Sequence, residues 1–204
     1  MTGILVLEQA LNGLQFGLML FLLAAGLTLV FGIMDLVNLS HGSLVMVGAY
    51  LATTLIEWTG SFILGILLAL PSTFLVGVVV EIVVLRTLYE RDHLDQVLAT
   101  FGLILFFNEL IRILWGPASL YSGLPESISG HVEILPGVPY PAFRLLIILV
   151  GLLVALLIYF IVARTKLGML IRAGASNREM AGALGVNIRM LFTLVFGLGA
   201  SIAG

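Results

Sequence analysis

There is no cysteine among the 204 residues, so neither a disulfide framework nor a thiolate metal site can be built. Charge is nearly as scarce: Asp, Glu, Lys and Arg make up 10% of the chain, against roughly 25% in soluble domains. Lysine occurs once, at Lys166, and no basic residue precedes Arg86. The glycine-rich phosphate loop that ends in Gly-Lys-Ser/Thr is therefore absent, which excludes nucleotide hydrolysis by that route. No nucleophile, base and orienting group stand together in a catalytic pattern. Nothing pairs His93 or His131 into a metal site. Proline is confined too: Pro117, Pro125, Pro136, Pro139 and Pro141 fall in one segment, and only Pro71 lies elsewhere.

What fills the chain instead is apolar. Hydrophobic residues make up 61% of it, and the mean hydropathy is +1.21. That is too much for a soluble core and points to a polytopic membrane protein. Uncharged or nearly uncharged runs cover about 9–34, 42–56, 58–80, 96–114 and 145–163, and a sixth begins at Met190. Most approach the roughly 20 residues that cross a bilayer. In hydrocarbon the backbone must satisfy its own hydrogen bonds, so the runs are helices. The expected fold is all-α: a polytopic transmembrane helical bundle of about six spans, one domain over residues 1–204. No basic region or small-residue cleavage site marks the first run as a signal peptide, so it reads as a retained span. The sixth run stays apolar to Gly204, without a polar flank, as expected of a piece of a longer protein.

Lys and Arg set the orientation. Segment 164–189 carries Arg164, Lys166, Arg172, Arg178 and Arg189 against Glu179 alone, which places it in the cytoplasm. Counting back, segment 86–95 is inside, whereas 116–143, 57–61 and the amino terminus are outside. The proline-rich outer segment 116–143 reads as an extended excursion, with a short strand at 132–135 and a turn at Pro136-Gly137. It is either a plain connector or a docking surface for an external partner. Glu109 and Arg112, three apart on one helical face, can neutralise each other. Asp35 reads as an end-of-helix charge.

Two stretches hold candidate functional residues. In the inner segment, Ser176-Asn177-Arg178-Glu179 fits a capping box, with Ser176 as cap and Glu179 reaching back. Gly185 stands where a left-handed terminus belongs, and Asn187 can cap the following span. Between them lies a helix of about two turns whose Met180, Ala181, Ala183 and Leu184 form a small apolar surface. It is suited either to a groove on another protein or to the membrane interface. The other stretch is Asn38, Ser40, His41, Gly42 and Ser43, which interrupts the greasy first third. Asn38 and His41 would share a face if helical, and Gly32 and Gly42 offer backbone freedom for a broken helix. Polar groups at membrane depth face protein or a water-filled path; alternatively the stretch is a polar turn at the inner surface.

"GLTLVFGIMDLVNLSHGSLVMVGAY" (26–50) and "RAGASNREMAGALGVNIRMLFTLVFGLGASIAG" (172–204) resemble, in that order, the amino-terminal signature and the cytoplasmic coupling loop of bacterial branched-chain amino acid ABC transporter permeases. The motifs do not sharply separate these from related urea and short-chain amide permeases. The resemblance implies an inner-membrane subunit that pairs with a second permease subunit, usually as a heterodimer. Two cytoplasmic ATPase subunits and an external substrate-binding protein complete the transporter, and no nucleic acid is involved. ATP would be used by the ATPase partners, with no cofactor in this chain. Residues Ala175 to Asn187 would form the coupling helix with its caps, engaging the ATPase through Ser176, Glu179, Met180, Ala183, Leu184, Gly185 and Asn187. Asn38, Ser40, His41 and Gly42 would border the substrate path.

Overall fold

The computed structural model describes residues 2–118, 120, 123, 125–135 and 138–204. Long apolar runs with no mid-chain charge become helices: α1 Thr2–Met34, α2 His41–Thr59, α3 Phe62–Val83, α4 His93–Trp115, α6 Ala142–Arg164 and α9 Ile188–Ala203. Three short helices lie between them: α5 Glu126–Ser129, α7 Lys166–Ser176 and α8 Arg178–Ala183, with a 3-10 turn at Leu85–Leu88. Strands β1 His131–Leu135 and β2 Val138–Pro141 pair antiparallel. Among the described residues, four helices are long and apolar enough to cross a membrane: α1, α3, α4 and α6. The 19-residue α2 carries His41, Thr53, Thr54 and Glu57, and the apolar α9 has 16 residues.

The centre of the fold is α9. Leu191, Phe192, Val195, Phe196, Gly197, Gly199 and Ala200 are all buried, against α1 and α3 above all. Close approach there depends on missing side chains. A Cβ on Gly26 of α1 would sit 2.5 Å from the Gly199 carbonyl oxygen. Apolar side chains gain little by leaving lipid for protein, so membrane helices associate by such tight backbone contact. Helix α3 presents Gly65, Ala69, Thr73, Gly77 and Glu81 as a buried stripe at intervals of four, the spacing that keeps residues on one helical face. A Cβ at Gly77 would meet the Ala200 methyl at 2.8 Å, and one at Gly197 would meet the Phe74 ring at 2.8 Å. By contrast α6 buries only Ile148 and Gly151, leaving most of its apolar surface outward.

The chain has two polar ends. At one, Asp35 faces Arg178 at 3.9 Å, and the Val37 N–H donates to Gln96 Oε1 at 3.3 Å; segments 35–40, 84–96 and 164–189 therefore meet there. At the other, the buried Tyr140 of β2 donates to Asn12 Oδ1 at 3.0 Å, and Arg144 donates to the same oxygen at 2.7 Å. Trp115 Nε1 donates to Thr54 Oγ1 at 2.7 Å, and its ring packs on Tyr50 at 5.4 Å. Residues 131–141 thus form two paired strands docked on α1; the first is the strand expected at 132–135, and the second strand and the docking were not expected. The outer segment is not wholly extended, because α5 forms a helical turn after Pro125. The expected turn at Pro136-Gly137 lies outside the described residues.

Candidate functional site

The polar interruption is buried. Helix α1 ends at Met34, and Asp35 takes a left-handed backbone, φ 51°, which a short polar side chain tolerates. The break therefore falls on Asp35; Gly32 and Gly42, expected to supply it, lie inside helices. From Asp35 to Ser40 the side chains alternate outward and inward, with Leu36, Asn38 and Ser40 buried and Leu39 exposed. Asn38 is not on α2, so it shares no helical face with His41. Its Oδ1 instead accepts from the Ser40 N–H at 3.0 Å and the Ser40 hydroxyl at 2.7 Å. That closes the turn that starts α2.

His41, the first residue of α2, is 3% exposed. A Cβ on Gly26 would lie 3.1 Å from its Nε2. Gly26 stands eight residues before Met34, or about 12 Å back along α1 at 1.5 Å per residue. The first turn of α2 thus begins well inside the bundle, which argues against a surface turn. Asn38 Nδ2 is buried without a hydrogen-bond partner; for the His41 ring the Leu23 backbone is the one hydrogen-bonding group at hand, short of good geometry. Leaving such a group unpaired costs about 1–3 kcal/mol, and buried polar groups ordinarily find partners. Gly42 itself is exposed.

The inner segment holds more helix than the sequence suggests. Thr165 caps α7, accepting from the Gly168 N–H, and the Arg172 guanidinium donates to the Val162 carbonyl. Ser176 is the last residue of α7 and caps nothing. The α8 cap is Asn177, whose Oδ1 accepts from the Met180 N–H at 2.9 Å. The capping-box reading was one residue early because α7 runs into the segment and claims Ser176. Gly185 has φ 89°; its N–H donates to Gly182 O at 3.0 Å and the Val186 N–H to Ala181 O at 3.1 Å. Those two bonds form a Schellman terminus. Asn187 Oδ1 then accepts from the Met190 N–H at 3.0 Å, starting α9. Of the apolar residues of α8 and its terminus, Ala181 faces inward and is buried. Met180 and Leu184 are 62% and 81% exposed, with Glu179 and Ala183 also outward.

A second buried polar cluster went unread in the sequence. Glu81, near the carboxyl end of α3, is fully buried. Its carboxylate accepts from Arg86 Nη2 at 3.0 Å and Nε at 3.3 Å, from the Tyr89 hydroxyl at 2.6 Å, and from the Thr193 hydroxyl of α9 at 2.7 Å. Burial, and then the bond to Glu81, push the Tyr89 phenol above its ordinary value, so it stays a donor. The third apolar run, expected to end at about 80, stops one residue short of this carboxylate. The available signal was a lone carboxylate at the end of an apolar run, five residues from an arginine. Glu109 and Arg112 do pair, at 4.0 Å, with both side chains well exposed. Among the described residues, no group of three or more His, Cys, Asp or Glu is placed to hold a metal ion.

Long apolar helices packed around α9 and a buried histidine, with a short capped helix at one end, define a multi-span membrane protein. Residues 9–204 match the family described as the permease component of branched-chain amino acid transport systems, and the chain belongs to that family. It is similar to the high-affinity branched-chain amino acid transport system permease protein BraD of Pseudomonas aeruginosa, 29% identical over 97% of this chain and 68% of that protein. The corresponding LivH of Escherichia coli is 26% identical over 97% of this chain and 68% of its own length. A probable LivH of Methanocaldococcus jannaschii is 28% identical over 91% of this chain and 61% of its length. No solved structure matches. The chain is a membrane permease subunit of an ATP-binding-cassette importer, not an enzyme.

Proposed function

We propose that this permease carries branched-chain amino acids, handed over by an external binding protein, and that α8 couples it to a cytoplasmic ATPase subunit. One observation carries the coupling reading. A six-residue helix is locked at both ends, by Asn177 and by the Gly185 terminus, and turns Met180 and Leu184 away from the rest of the chain. Exposed apolar side chains on a rigid, well-capped helix fit a groove on another protein. Six spans, α1, α2, α3, α4, α6 and α9, then cross the inner membrane, with the amino terminus and the hairpin outside and 164–189 in the cytoplasm as the ATPase-coupling segment. In that arrangement Asn38, Ser40 and His41 stand at membrane depth, and the unpaired Asn38 Nδ2 and the His41 ring beside it are available to a path completed by a second permease subunit. Gly42 borders the same level from the exposed side.

Leu184→Arg and Ala183→Arg in the assembled transporter test the coupling reading. Loss of the ATPase subunit on purification, with the permease still in the membrane, is expected. Retained association together with normal uptake overturns it. Uptake of labelled leucine competed by isoleucine and valine, but not by urea or acetamide, tests the substrate; competition by the amides alone would move the chain to the amide-transporting branch. Replacing His41 with Leu should lower uptake per assembled complex, and unchanged uptake would remove His41 from the path.

A further inference from the structure

The Glu81 cluster joins three elements that the fold could otherwise let slide. Glu81 ends the small-residue stripe of α3. Arg86 and Tyr89 belong to the turn that follows. Thr193 lies six residues past Asn187, the cap with which α9 leaves the α8 segment. The Thr193 hydroxyl accepts from Arg86 Nη2 at 2.9 Å and donates its proton to Glu81 Oε2 at 2.7 Å, so it sits between guanidinium and carboxylate. Arg189 O, at 3.0 Å, is the more distant and uncharged alternative acceptor. Four to seven residues after Thr193, α3 and α9 touch through Gly77, Gly197 and Ala200. Further along, Ser201 Oγ donates to Leu70 O at 3.0 Å. Glycine contacts bring helices together but resist sliding and rotation weakly, since no side chain interlocks. Charge-assisted hydrogen bonds are directional and stronger. The Tyr89 ring also packs edge-on against Phe192, 5.1 Å between centroids, beside Thr193.

We infer that Glu81, Arg86, Tyr89 and Thr193 form a clamp that makes α3 and α9 move as one body, so that displacement of α8 reaches α3 and, through it, α2. The clamp residues are positioning residues; none is placed on the path. The inference rests on the reading of α8 as the coupling helix. A fully buried carboxylate is costly unless paired, yet this one, on α3, accepts four hydrogen bonds from the following turn and from α9. Its location one and a half turns beyond the α9 cap puts the rigid point where motion enters the bundle. Helix α3 passes motion on because it is tightly seated against α2, where a Cβ on Gly65 would collide with Ile56.

The test uses the assembled transporter and measures substrate moved per ATP hydrolysed. Thr193→Val keeps the shape and leaves Glu81 paired with Arg86 and Tyr89, so it should assemble normally. The expected result is a fall of about tenfold in uptake per ATP, within the range by which network mutations change coupling, with recovery in Thr193→Ser. Glu81→Gln should show the same uncoupling and, unlike Thr193→Val, a loss of membrane abundance. A Thr193→Val transporter with wild-type uptake per ATP, or one that loses only abundance, overturns the clamp. If Leu184→Arg leaves the ATPase bound, the coupling reading itself fails; if it releases the ATPase while Thr193→Val stays fully coupled, only the clamp fails.

Discussion

A methyl group added at Gly26 has nowhere to go. Its Cβ would stand 2.5 Å from the Gly199 carbonyl oxygen and 3.1 Å from His41 Nε2, while ordinary contact begins at 3.4 Å. The deficit of about 0.9 Å must be met by moving helices, because the atom in the way is backbone. A gap of that size costs the remaining contacts along the crossing roughly a quarter to a half of their attraction. Overpacking costs about 1–3 kcal/mol, and a backbone obstacle puts this site in the upper half. Alanine recovers roughly 0.5–1 kcal/mol of helix preference over glycine, leaving a net loss of about 1–2.5 kcal/mol. Gly17→Ala is the control: on the same helix, its Cβ meets nothing within 4 Å, so only the helix-preference gain remains. Reversible SDS unfolding in mixed micelles, followed by tryptophan fluorescence, measures both. Gly26→Ala should unfold at lower SDS than wild type, and Gly17→Ala at equal or higher SDS. Gly199→Ala, which would meet Gly26 O at 2.8 Å, should cost less in the Gly26→Ala background than alone, since the helices have already parted. Equal stability of Gly26→Ala and Gly17→Ala would refute the α1–α9 crossing.

Replacing Asn177 with Ala should destabilise α8 by about 1 kcal/mol and speed amide exchange over 178–184, whereas Ser176→Ala leaves that exchange unchanged; the reverse order would reinstate the capping box. Trp115→Phe removes the donor to Thr54 Oγ1 and should cost about 1 kcal/mol in the same SDS titration, and no change would show that the bond is not made. The Tyr89 phenol, raised by burial and by Glu81, should ionise later than free tyrosine in an alkaline absorbance titration. Because the folded-state value is the higher one, its contribution is intact below the unfolded value of about 10 and declines as pH rises beyond it. Tyr89→Phe should abolish the late step, and a late step that survives belongs to another tyrosine.

Much of the architecture follows from local chemistry. Long uncharged runs have to be helical in hydrocarbon, and their ends fall within a few residues of the expected positions for α3, α4 and α6. The first strand was legible at 132–135 because a short apolar stretch ends at Pro136-Gly137; its partner 138–141 was not. Gly185 and Asn187 were legible because a left-handed residue and a side-chain cap are demands of one turn of chain. Ser176 was misread by one position: local pattern offers two adjacent caps, and only the extent of α7 chooses Asn177.

The sequence by itself determined that this is an all-α, multi-span membrane protein and that a short capped helix precedes the apolar α9. These depend on composition and on interactions a few residues apart. Tertiary structure alone decided the rest. Asp35 rather than a glycine makes the break, because the chain must turn back into the bundle for His41 to reach Gly26. Glu81 looks like an end-of-span charge until Thr193, 112 residues away, closes its shell. No periodicity records a partner at that distance; it exists only once Gly77, Gly197 and Ala200 have brought α3 and α9 together.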